Sequence, residues 1–361
     1  MEKVVIENNL SEFYKSKKIF VTGHSGFKGL WLLCWLNKMG AIVKGYSLPP
    51  DNNILFFNSI KENINYENTF ADIRNSSVLK REIEDFQPDI IFHLAAQALV
   101  RTSYILPAET FEVNTVGTAN ILEAVIPLKK KCTVIVITTD KVYHNREEDY
   151  HYKEEDMLGG YDPYSASKAA AEIVISSFRN SFFNLKDYFN HQKRVISVRA
   201  GNVIGGGDYS KDRIIPDVVR SLQNGSDIQV RNPNAIRPWQ HVLEPLSGYL
   251  QLAMQAHQNE KQISNAYNFG PFKNDHLTVS ELVKTAINCW GSGSWRDISN
   301  SIEPHEAGLL KLDIIKAVTE LNWEPKLNSQ QAIKWTINWY NEPIENQFNY
   351  TMQQLSNFQK L

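Results

Sequence analysis

The sequence predicts an α/β fold, in which a doubly wound parallel sheet is joined to a smaller, mixed C-terminal domain. Between residues 18 and 202, short apolar runs alternate with segments of helical length, which is the pattern of parallel strands linked by crossover helices. The run Val-Ile-Val-Ile at 134–137 is apolar at every position, as in strands covered on both faces. After Gly205 the elements become shorter and prolines separate them, which predicts a second unit.

The order of the elements follows from these runs. Strands are predicted at residues 19–22, 41–46, 69–73, 89–95, 133–138 and 194–198, and helices at 30–39, 77–86, 107–126 and 163–178. A last helix is predicted near 329–340, followed by an Asn/Gln-rich tail that we expect to fray. The predicted first domain comprises residues 1–204 together with 239–270, and the second is formed mainly by 205–361.

Length and composition exclude several classes of protein. The 361 residues include 38 Lys and Arg against 40 Asp and Glu, with 42% apolar and 22% charged residues. These values are ordinary for globular proteins and exclude global disorder, a collagen-like chain and a coiled coil. The longest basic block is three lysines at 129–131, so no surface for nucleic acid or an anionic membrane is predicted. The predicted partner is a small molecule.

The cysteines and the N-terminal segment favour a cytoplasmic protein. Cys34, Cys132 and Cys289 are odd in number and far apart, which predicts buried thiols rather than a disulfide framework. No Cys/His cluster, CxxC pair or HExxH sequence indicates a metal site. The first 18 residues lack the pattern of an export signal, and no apolar run approaches the ~20 residues of a membrane span.

A glycine-rich segment follows the first predicted strand. It reads Gly-His-Ser-Gly-Phe-Lys-Gly at residues 23–29 and leads into an apolar helix. The first glycine allows a tight turn, the second lets backbone approach a pyrophosphate, and the third lets helix and strand pack closely. The helix N-terminus adds free N–H groups and a positive dipole end. The sequence therefore predicts a Rossmann-type dinucleotide site at Gly23, Ser25, Gly26, Phe27, Lys28 and Gly29.

The second predicted strand lacks the carboxylate that usually binds the adenosine ribose. Gly-Tyr-Ser-Leu stands at residues 45–48 instead. A carboxylate there would bind the ribose diol, so its absence leaves the choice between NAD and NADP weakly encoded. No arginine replaces it to accept a 2′-phosphate, and this favours NAD.

The ends of the third and fourth strands supply further cofactor contacts. Asp72 and Ile73 follow the third strand, where a carboxylate and a backbone amide are expected to flank the adenine. His93 is interpreted as a core histidine whose hydrogen bonds are satisfied. Beyond it the fourth strand ends in a short stretch where backbone approaches the ligand, formed by Leu94, Ala95 and Ala96.

The catalytic candidates of the fourth helix are Tyr164 and Lys168. Positions four apart lie on one face of a helix, so the Lys168 ammonium is expected to favour the phenolate of Tyr164. A tyrosine needs this help, because its ordinary pKa near 10 makes it a poor base at neutral pH. With fifteen tyrosines in the chain, the spacing alone also fits a solvated helix pair. The position after the fifth strand favours catalysis.

The fifth strand ends in Thr139, Asp140 and Lys141, at the edge where open parallel sheets bind their ligands. A hydroxyl, a carboxylic acid and an amine at this edge can hydrogen-bond a substrate hydroxyl, protonate a leaving group and act on a carbanion. The alternative is a turn with a solvated ion pair. We favour the catalytic interpretation, since the tyrosine helix packs against this edge in such folds.

Together these segments resemble the extended short-chain dehydrogenase/reductase superfamily. The resemblance rests on residues 23–29, 93–97, 139–141, 164–168, 199–208 and 237–242, and it extends from about residue 17 to 339. Within the superfamily, the chain resembles the nucleotide-sugar 4,6-dehydratases that act on CDP-glucose. The selecting feature is Lys141, because related dehydratases carry a glutamate there. The resemblance implies NAD as cofactor, a nucleotide sugar as substrate, and a homodimer or higher homo-oligomer.

The reaction implied by this resemblance is an internal oxidation and reduction. Tyr164, with Lys168 and Thr139, takes the proton of the glucose 4-hydroxyl while hydride leaves C4 for the nicotinamide. The 4-ketone acidifies the C5 hydrogen, and loss of the C6 hydroxyl with Asp140 as general acid gives an enone. Return of the hydride to C6 gives CDP-4-keto-6-deoxyglucose.

The group that takes the C5 proton is left open. A lysine acts as a base only where burial or positive neighbours lower its pKa from about 10.4. Lys141 therefore serves either as this base or as a cation that stabilises the enolate, with Tyr164 or water as the base.

The second domain is expected to hold the nucleotide diphosphate. Arginine suits this task because its planar fork binds phosphate in a bidentate manner. For Arg231 a surface charge and a phosphate contact are both left open. The predicted substrate-binding residues are Gln97, Asn202, Arg213, Arg231 and Arg237.

Three alternatives remain at this stage. Another nucleotide-sugar 4,6-dehydratase would share the whole motif set, since no residue chemistry selects cytosine over other bases. A nucleotide-sugar 4-epimerase would share the tyrosine, the lysine and the glycine loop, but it has no use for Asp140 and Lys141. A non-catalytic NAD-sensing protein would tend to lose Tyr164 or Lys168, and both are present.

Overall fold

A computed structural model describes residues 9–50, 54–299 and 310–361. Residues 1–8, part of the segment expected to lack an export signal, lie outside these ranges. In the described part of the chain, seven parallel strands form the central sheet in the order β3-β2-β1-β4-β5-β7-β12. Their bounds are β1 Lys18–Thr22, β2 Ile42–Ser47, β3 Glu67–Phe70, β4 Ile90–His93, β5 Cys132–Ile137, β7 Lys193–Ala200 and β12 Ala266–Phe269.

The chain runs outward from β1 to β3 and then returns to place β4 on the other side of β1. This reversal creates the switch point of a doubly wound sheet, at which ligands bind beyond the carboxyl ends of the strands. The predicted fold class is confirmed. The remaining strands form two-stranded pairs: β6 His151–Tyr152 with β15 Lys311–Leu312, β8 Val203–Ile204 with β11 Gln240–His241, β9 Ile228–Val230 with β14 Trp295–Asp297, and β10 Ile236–Arg237 with β13 Leu277–Thr278.

Helices cover both faces of the sheet. In the described part of the chain, none is long and apolar enough to cross a membrane. Their bounds are α1 Phe27–Lys38, α2 Ile54–Asn63, α3 Ser76–Phe86, α4 Val100–Ile105, α5 Pro107–Phe111, α6 Gly117–Val125, α7 Pro163–Ser181, α8 Tyr188–His191, α9 Ile214–Gln223, α10 Leu243–Gln258, α11 Val279–Trp290, α12 Ile315–Leu321, α13 Ser329–Asn341 and α14 Gln347–Lys360.

The continuous apolar strands are explained by two cores, one on each face of the sheet. In β5, Ile135 and Ile137 pack into one core while Val134 and Val136 pack into the other. Successive side chains of a strand point to opposite faces, so a sheet covered on both sides needs apolar residues at every position.

Two predicted elements differ in extent from the structure. The third strand ends at Phe70 instead of continuing to residue 73, because the Asp72 carboxylate accepts the backbone N–H of Arg74 at 2.8 Å and turns the chain away. The helix predicted over 107–126 is interrupted by a π-helical segment, Glu112–Val116. This segment aims the Asn114 side chain inward, where it donates to the Gln97 carbonyl at 3.0 Å and to Ser167 Oγ at 2.9 Å.

The expectation of a frayed tail is wrong. Residues Gln347–Lys360 form α14, in which Leu355 and Phe358 are fully buried. The Phe358 ring meets Trp35 of α1 edge-on at 5.8 Å, and Lys326 Nζ lies 4.9 Å from its centroid. The high Asn and Gln content concealed an amphipathic helix, whose apolar positions fall on one face at helical spacing.

We expect Phe358→Ala to lower the free energy of unfolding by about 3–5 kcal/mol, because it removes a fully buried aromatic side chain and leaves a cavity against α1. Chemical denaturation of both proteins measures this loss. Phe189→Ala is the matched control, since the Phe189 side chain is 90% exposed. Equal effects of the two substitutions would contradict the packing described for α14.

Candidate active site

The glycine loop turns the chain sharply between β1 and α1. Gly23 has a φ of +70°, and a Cβ on it would lie 2.7 Å from the backbone nitrogen of Ala95. A Cβ on Gly29 would overlap the carbonyl of Gly23, so both positions require glycine. The N-cap of α1 is Gly26, with no side chain capping the first turn, and this leaves backbone N–H groups available to an anion. The geometry fits the pyrophosphate of a dinucleotide.

Hydroxyl groups occupy the end of β2, where a ribose-binding carboxylate would be expected. Ser47 Oγ donates to Ser25 Oγ at 2.8 Å, and Ser25 Oγ lies 2.8 Å from the carbonyl of Leu48. The loop residue Ser25 is therefore tied to the second strand. Its contact fixes the glycine loop against the edge at which the adenosine ribose would lie.

The acidic candidate Asp72 is bound to an arginine that the sequence analysis did not single out. Arg74 makes an ion pair with Asp72 at 2.7 Å, and it also contacts Glu109 at 3.4 Å and Glu112 at 3.2 Å. The hydrogen bonds from Arg74 hold the pKa of Asp72 below its usual range. The guanidinium is thus shared among three carboxylates, and its charge is largely balanced. Ile73, next to Asp72, is buried against Gly117 of α6.

The segment after β4 approaches the glycine loop through its backbone. Ala95 N–H donates to Thr22 Oγ1 at 3.1 Å, and Leu94 and Ala96 beside it are half-buried. The Gln97 side chain is occupied locally, since its Nε2 donates to Leu99 O and Thr110 Oγ1 and its Oε1 accepts from Leu99 N–H at 2.6 Å. In this structure the Gln97 side chain stabilises the segment after β4.

His93 agrees with its interpretation as a core histidine. It is 1% exposed, and its Nδ1 lies 2.7 Å from Thr22 Oγ1 while Nε2 lies 3.3 Å from Thr118 Oγ1. Burial and the charge of Lys168 lower its pKa to about 3, so the ring is neutral. Both ring nitrogens are used within the core.

Tyr164 and Lys168 lie on one face of α7, at the carboxyl edge of the sheet. Asp162 caps the helix by accepting the N–H of Ser165 at 2.9 Å, which places Tyr164 in the first turn. Lys168 Nζ donates to the backbone carbonyl of Ile137, at the end of β5, at 3.2 Å. The two side chains are 9% and 4% exposed, respectively.

Burial changes the acidity of both groups. It lowers the pKa of Lys168 to about 8, with a further lowering by the charge of Lys28 and an opposing effect of Glu172. Burial raises the pKa of Tyr164 to about 12, whereas the hydrogen bond with Thr139 and the charge of Arg213 act to lower it. The protein alone therefore keeps Tyr164 protonated at neutral pH, and positive charge near the phenol favours its deprotonation.

Thr139, Asp140 and Lys141 form the turn that follows β5. Thr139 Oγ1 donates to Asp140 Oδ1 at 2.9 Å, so the threonine touches both the phenol of Tyr164 and the carboxylate. Asp140 is 2% exposed and packs on Gly201, where any Cβ would overlap its carboxylate. The half-buried Lys141 amine meets no hydrogen-bond or ion-pair acceptor among the described residues. The structure thus gathers a phenol, a hydroxyl, a carboxyl and an amine.

Lys28 of the glycine loop lies close enough to Asp140 for their charges to act on each other. Burial lowers its pKa to about 8, the charge of Arg213 lowers it further, and Asp140 and Asp208 act in the opposite direction. Because these charges act on one another, the start of α1, the turn after β5 and the segment before α9 meet at one place. This place is the crevice above the switch point.

Of the arginine candidates, Arg213 is the one whose charge acts on the catalytic group. Arg213 makes an ion pair with Asp208 at 2.9 Å, and its charge acts on Tyr164, so it lies near the catalytic group. Arg231 contacts Asp212 at 3.3 Å, and Arg101 contacts the same carboxylate at 3.7 Å.

Two other substrate candidates are Arg237, at the end of β10, and Asn202, between β7 and β8. Arg237 ends β10, where its Nη1 donates to the carbonyl of Ile236 at 3.0 Å. Asn202 has a φ of +52°, and its carbonyl accepts the N–H of Gln240 at 3.2 Å. The structure therefore brings Arg213 to the catalytic group, and Asn202 directly follows Gly201, on which the Asp140 carboxylate packs.

A buried ion pair beneath the site was not found from the sequence. Glu172 lies one turn after Lys168 and binds Arg199 of β7 at 2.9 Å, and it accepts hydrogen bonds from Thr138 and Ser197 at 2.7 Å each. Burial raises the pKa of Glu172, but Arg199 and the hydrogen bonds from Thr138 and Ser197 together outweigh burial, and the net shift is downward. The pair joins α7 to β5 and β7, which fixes the face that carries Lys168.

Among the described residues, no group of three or more His, Cys, Asp or Glu side chains could hold a metal ion. The three cysteines are free thiols, with Cys34 and Cys132 buried and Cys289 half-buried.

Comparison with known proteins identifies the family. Residues 20–336 match the family model described as GDP-mannose 4,6 dehydratase. The chain belongs to this dehydratase family. A CDP-glucose 4,6-dehydratase of Salmonella typhimurium is 46% identical over 328 residues, which cover 91% of each chain. The predicted resemblance to this group of dehydratases is confirmed.

Solved structures of related folds include dehydratases and epimerases alike. A dTDP-glucose 4,6-dehydratase from Streptomyces venezuelae, solved with NAD bound, superimposes with a TM-score of 0.77 at 21% identity and covers 90% of this chain and 97% of its own. A UDP-glucose 4-epimerase from Thermus thermophilus in complex with NAD gives a TM-score of 0.75 at 22% identity, covering 90% and 99%. The dehydratase family thus shares its fold with the epimerases.

Proposed function

We propose that this protein converts CDP-glucose into CDP-4-keto-6-deoxyglucose with the loss of one water, using NAD as a cofactor that is regenerated in each turnover. The observation that carries the proposal is the contact of Thr139 with both Tyr164 and Asp140, with Lys141 on the same turn. A phenol suffices to make a ketone reversibly. A carboxylic acid and an amine beside it serve the elimination that an epimerase does not perform.

Binding of the dinucleotide follows from the glycine loop. Gly23, Gly26 and Gly29 let backbone N–H groups approach the pyrophosphate, Ser25 lies in the loop before the N-cap, and Phe27 and Lys28 begin α1. Asp72, Ile73 and residues 94–96 are assigned to the adenine and ribose side. NAD is favoured over NADP because the nearby Arg74 is already paired with three carboxylates and offers little charge to a 2′-phosphate. When bound, NAD accepts hydride from C4 and returns it to C6.

Oxidation at C4 is assigned to Tyr164, which takes the proton of the 4-hydroxyl. Thr139 hydrogen-bonds the phenol and the charge of Arg213 favours the phenolate, and Lys168, one helical turn further along α7, is assigned to add positive charge. The ion pair between Glu172 and Arg199 keeps the helix face in place.

Elimination across C5 and C6 is assigned to the turn after β5. Asp140 protonates the departing C6 hydroxyl, and its buried position over Gly201 aims the carboxyl at one point of the crevice. Lys141 acts on C5, either by removing the proton or by stabilising the enolate. Its amine suits both roles because no described group competes for it.

We expect Lys141→Ala to slow elimination by roughly 10²-fold or more, at the lower end of the usual effect of removing a general acid or base. Oxidation at C4 should continue, because Tyr164 and Lys168 are unchanged. Rapid-quench analysis with mass detection would show the 4-keto hexose accumulating before water is lost. Elimination at the wild-type rate would contradict both proposed roles of Lys141. Lys153→Ala, at an exposed position of the next turn, is the control.

The nucleotide diphosphate is assigned to the C-terminal half of the crevice. Arg213 stands nearest to Tyr164, and Arg231 and Arg237 carry positive charge further along. Asn202 and Gln97 complete the proposed set of substrate residues. We assign residues 1–204 and 239–270 to the cofactor-binding domain, since β12 pairs with β7 in the central sheet, and most of 205–361 to the substrate domain.

A homodimer and a cytoplasmic location complete the proposal. Large apolar side chains stand exposed at Ile105 of α4, Phe111 of α5 and Val116 of the π-helical segment, and at Ile173 of α7 and Phe182 just after it. Exposed apolar side chains of this kind favour pairing with a second copy. The free thiols suit a reducing compartment.

A substrate panel tests the proposed specificity. The protein is incubated with CDP-, dTDP-, GDP- and UDP-glucose, each with NAD⁺ or NADP⁺, and the products are resolved by mass. We expect the loss of one water from CDP-glucose with NAD⁺ at a kcat/KM well above that of the other pairs. A preference for another base would assign the protein to a different 4,6-dehydratase. A product of unchanged mass would indicate an epimerase.

A further inference from the structure

A small cavity lies behind Asp140, between the ends of β7 and β12 and the β6–β15 pair. Its volume is about 20 Å³, and its wall includes Asp140, Gly201, Gln240, His151 and His276. A space of this size holds about one water molecule, provided that several polar groups face it.

Gln240 supplies the first such group. The residue is 1% exposed, and its Nε2 donates to the carbonyls of Gly201 at 2.9 Å and Phe269 at 3.0 Å. Two carbonyl acceptors at one end of the amide fix its orientation, because only the NH₂ group can donate to both. The buried Oε1 at the other end accepts a hydrogen bond from no described protein group. A buried amide oxygen without a donor is unfavourable, so a donor in the cavity is expected.

Two imidazoles supply further groups. The buried Nε2 of His151 and Nδ1 of His276 also meet no described hydrogen-bond partner. Burial, and then the charges of Lys273 and Lys311, lower the pKa of His151, so its ring is neutral near pH 7. A neutral imidazole both donates and accepts, as does water.

The charges in the wall disfavour an anion as the occupant. Lys273 is paired with Asp313 at 3.0 Å and Lys311 with Asp149 at 2.8 Å, so both ammonium groups are neutralised. The carboxyl of Asp140 adds negative charge whenever it is ionised. A neutral donor and acceptor of the size of one water fits these surroundings best.

We propose that this cavity binds a water molecule held by Gln240 Oε1, and that this water returns a proton to Asp140 after each elimination. The inference rests on the proposed dehydration. Asp140 gives one proton to the departing C6 hydroxyl, which leaves as water. Over the turnover Tyr164 gains the proton of the 4-hydroxyl and releases it to solvent, while Asp140 regains one from solvent through the cavity water and the imidazoles. The proton removed from C5 is replaced there when hydride returns to C6, so over the whole turnover one proton enters from solvent and one leaves.

Two experiments test the proposal. A high-resolution crystal structure of the wild-type protein, grown with bromide, should show a water peak within hydrogen-bond distance of Gln240 Oε1 and no anomalous signal there. The double variant His151→Leu/His276→Leu should lower steady-state turnover by roughly 10-fold or more, less than loss of the acid itself. Reduced nicotinamide should accumulate during its turnover, since oxidation proceeds while Asp140 waits for a proton.

An anomalous bromide signal in the cavity of the wild-type protein, or an absence of density there, would overturn the water site. This holds whatever turnover the double variant shows. Wild-type turnover without accumulation of reduced nicotinamide in the double variant would overturn the proton relay. His144→Leu is the matched control, because His144 is exposed on the same segment and is absent from the cavity wall. The crystallographic result does not depend on activity, so a wild-type protein that fails to dehydrate CDP-glucose would contradict the proposed function separately.

Discussion

Tyr164→Phe is expected to lower kcat by roughly 10²–10⁴-fold, the usual effect of removing a general acid or base. The substitution deletes one oxygen from a residue that is 9% exposed, so the packing of α7 should be preserved. No other residue assigned to the site takes the 4-hydroxyl proton, so without the phenol oxidation should stop before any reduced nicotinamide forms. Stopped-flow absorbance of the nicotinamide, together with product mass, measures the loss.

The matched control for this substitution is Tyr161→Phe, because Tyr161 is 78% exposed and lies just before the same helix. Near-normal turnover of Tyr164→Phe would refute the assignment of the base. A loss of equal size in both variants would point to disruption of the helix start instead.

Asp140→Asn is expected to give the second large loss, also roughly 10²–10⁴-fold in overall turnover, but at a later step. Asparagine has nearly the same shape as aspartate, so it fits the space that the absence of a Cβ on Gly201 leaves for this side chain. It cannot protonate the C6 hydroxyl, so the 4-keto hexose and reduced nicotinamide should accumulate together. The two large losses therefore differ in which step they block.

Single-turnover measurements with mass detection separate these outcomes. The control is Asp85→Asn, an exposed carboxylate on α3. If Asp140→Asn released the 6-deoxy product at the wild-type rate, Asp140 would not be the general acid.

The parts of the fold that were predicted correctly have a local signal. The strands are apolar at every position because both faces of the sheet are covered, and the glycine loop is marked by residues that no side chain can replace at Gly23 and Gly29. Helical spacing predicted that Tyr164 and Lys168 share one helix, whereas their catalytic assignment rested on the position after the fifth strand and remains a proposal. Each of these features is contained within a few consecutive residues.

The features that were missed depend on distant partners. Glu172 and Arg199 are 27 positions apart, and each is surrounded in sequence by residues that give no hint of an ion pair. Asn114 reaches Gln97 and Ser167 only because a π-helical segment rotates it inward, and no spacing rule predicts such an interruption. In α14, Leu355 and Phe358 are buried, but the many polar residues around them in the sequence hid the apolar face of this helix.

The central claim is an internal transfer of hydride with loss of water, and CDP-glucose deuterated at C4 tests it most directly. The protein is incubated with this substrate and NAD⁺, and the product is examined by mass spectrometry and NMR. We predict a product lighter than the substrate by one water that carries the deuterium at C6 in a new methyl group. Deuterium retained at C4 in a product of unchanged mass would contradict the account.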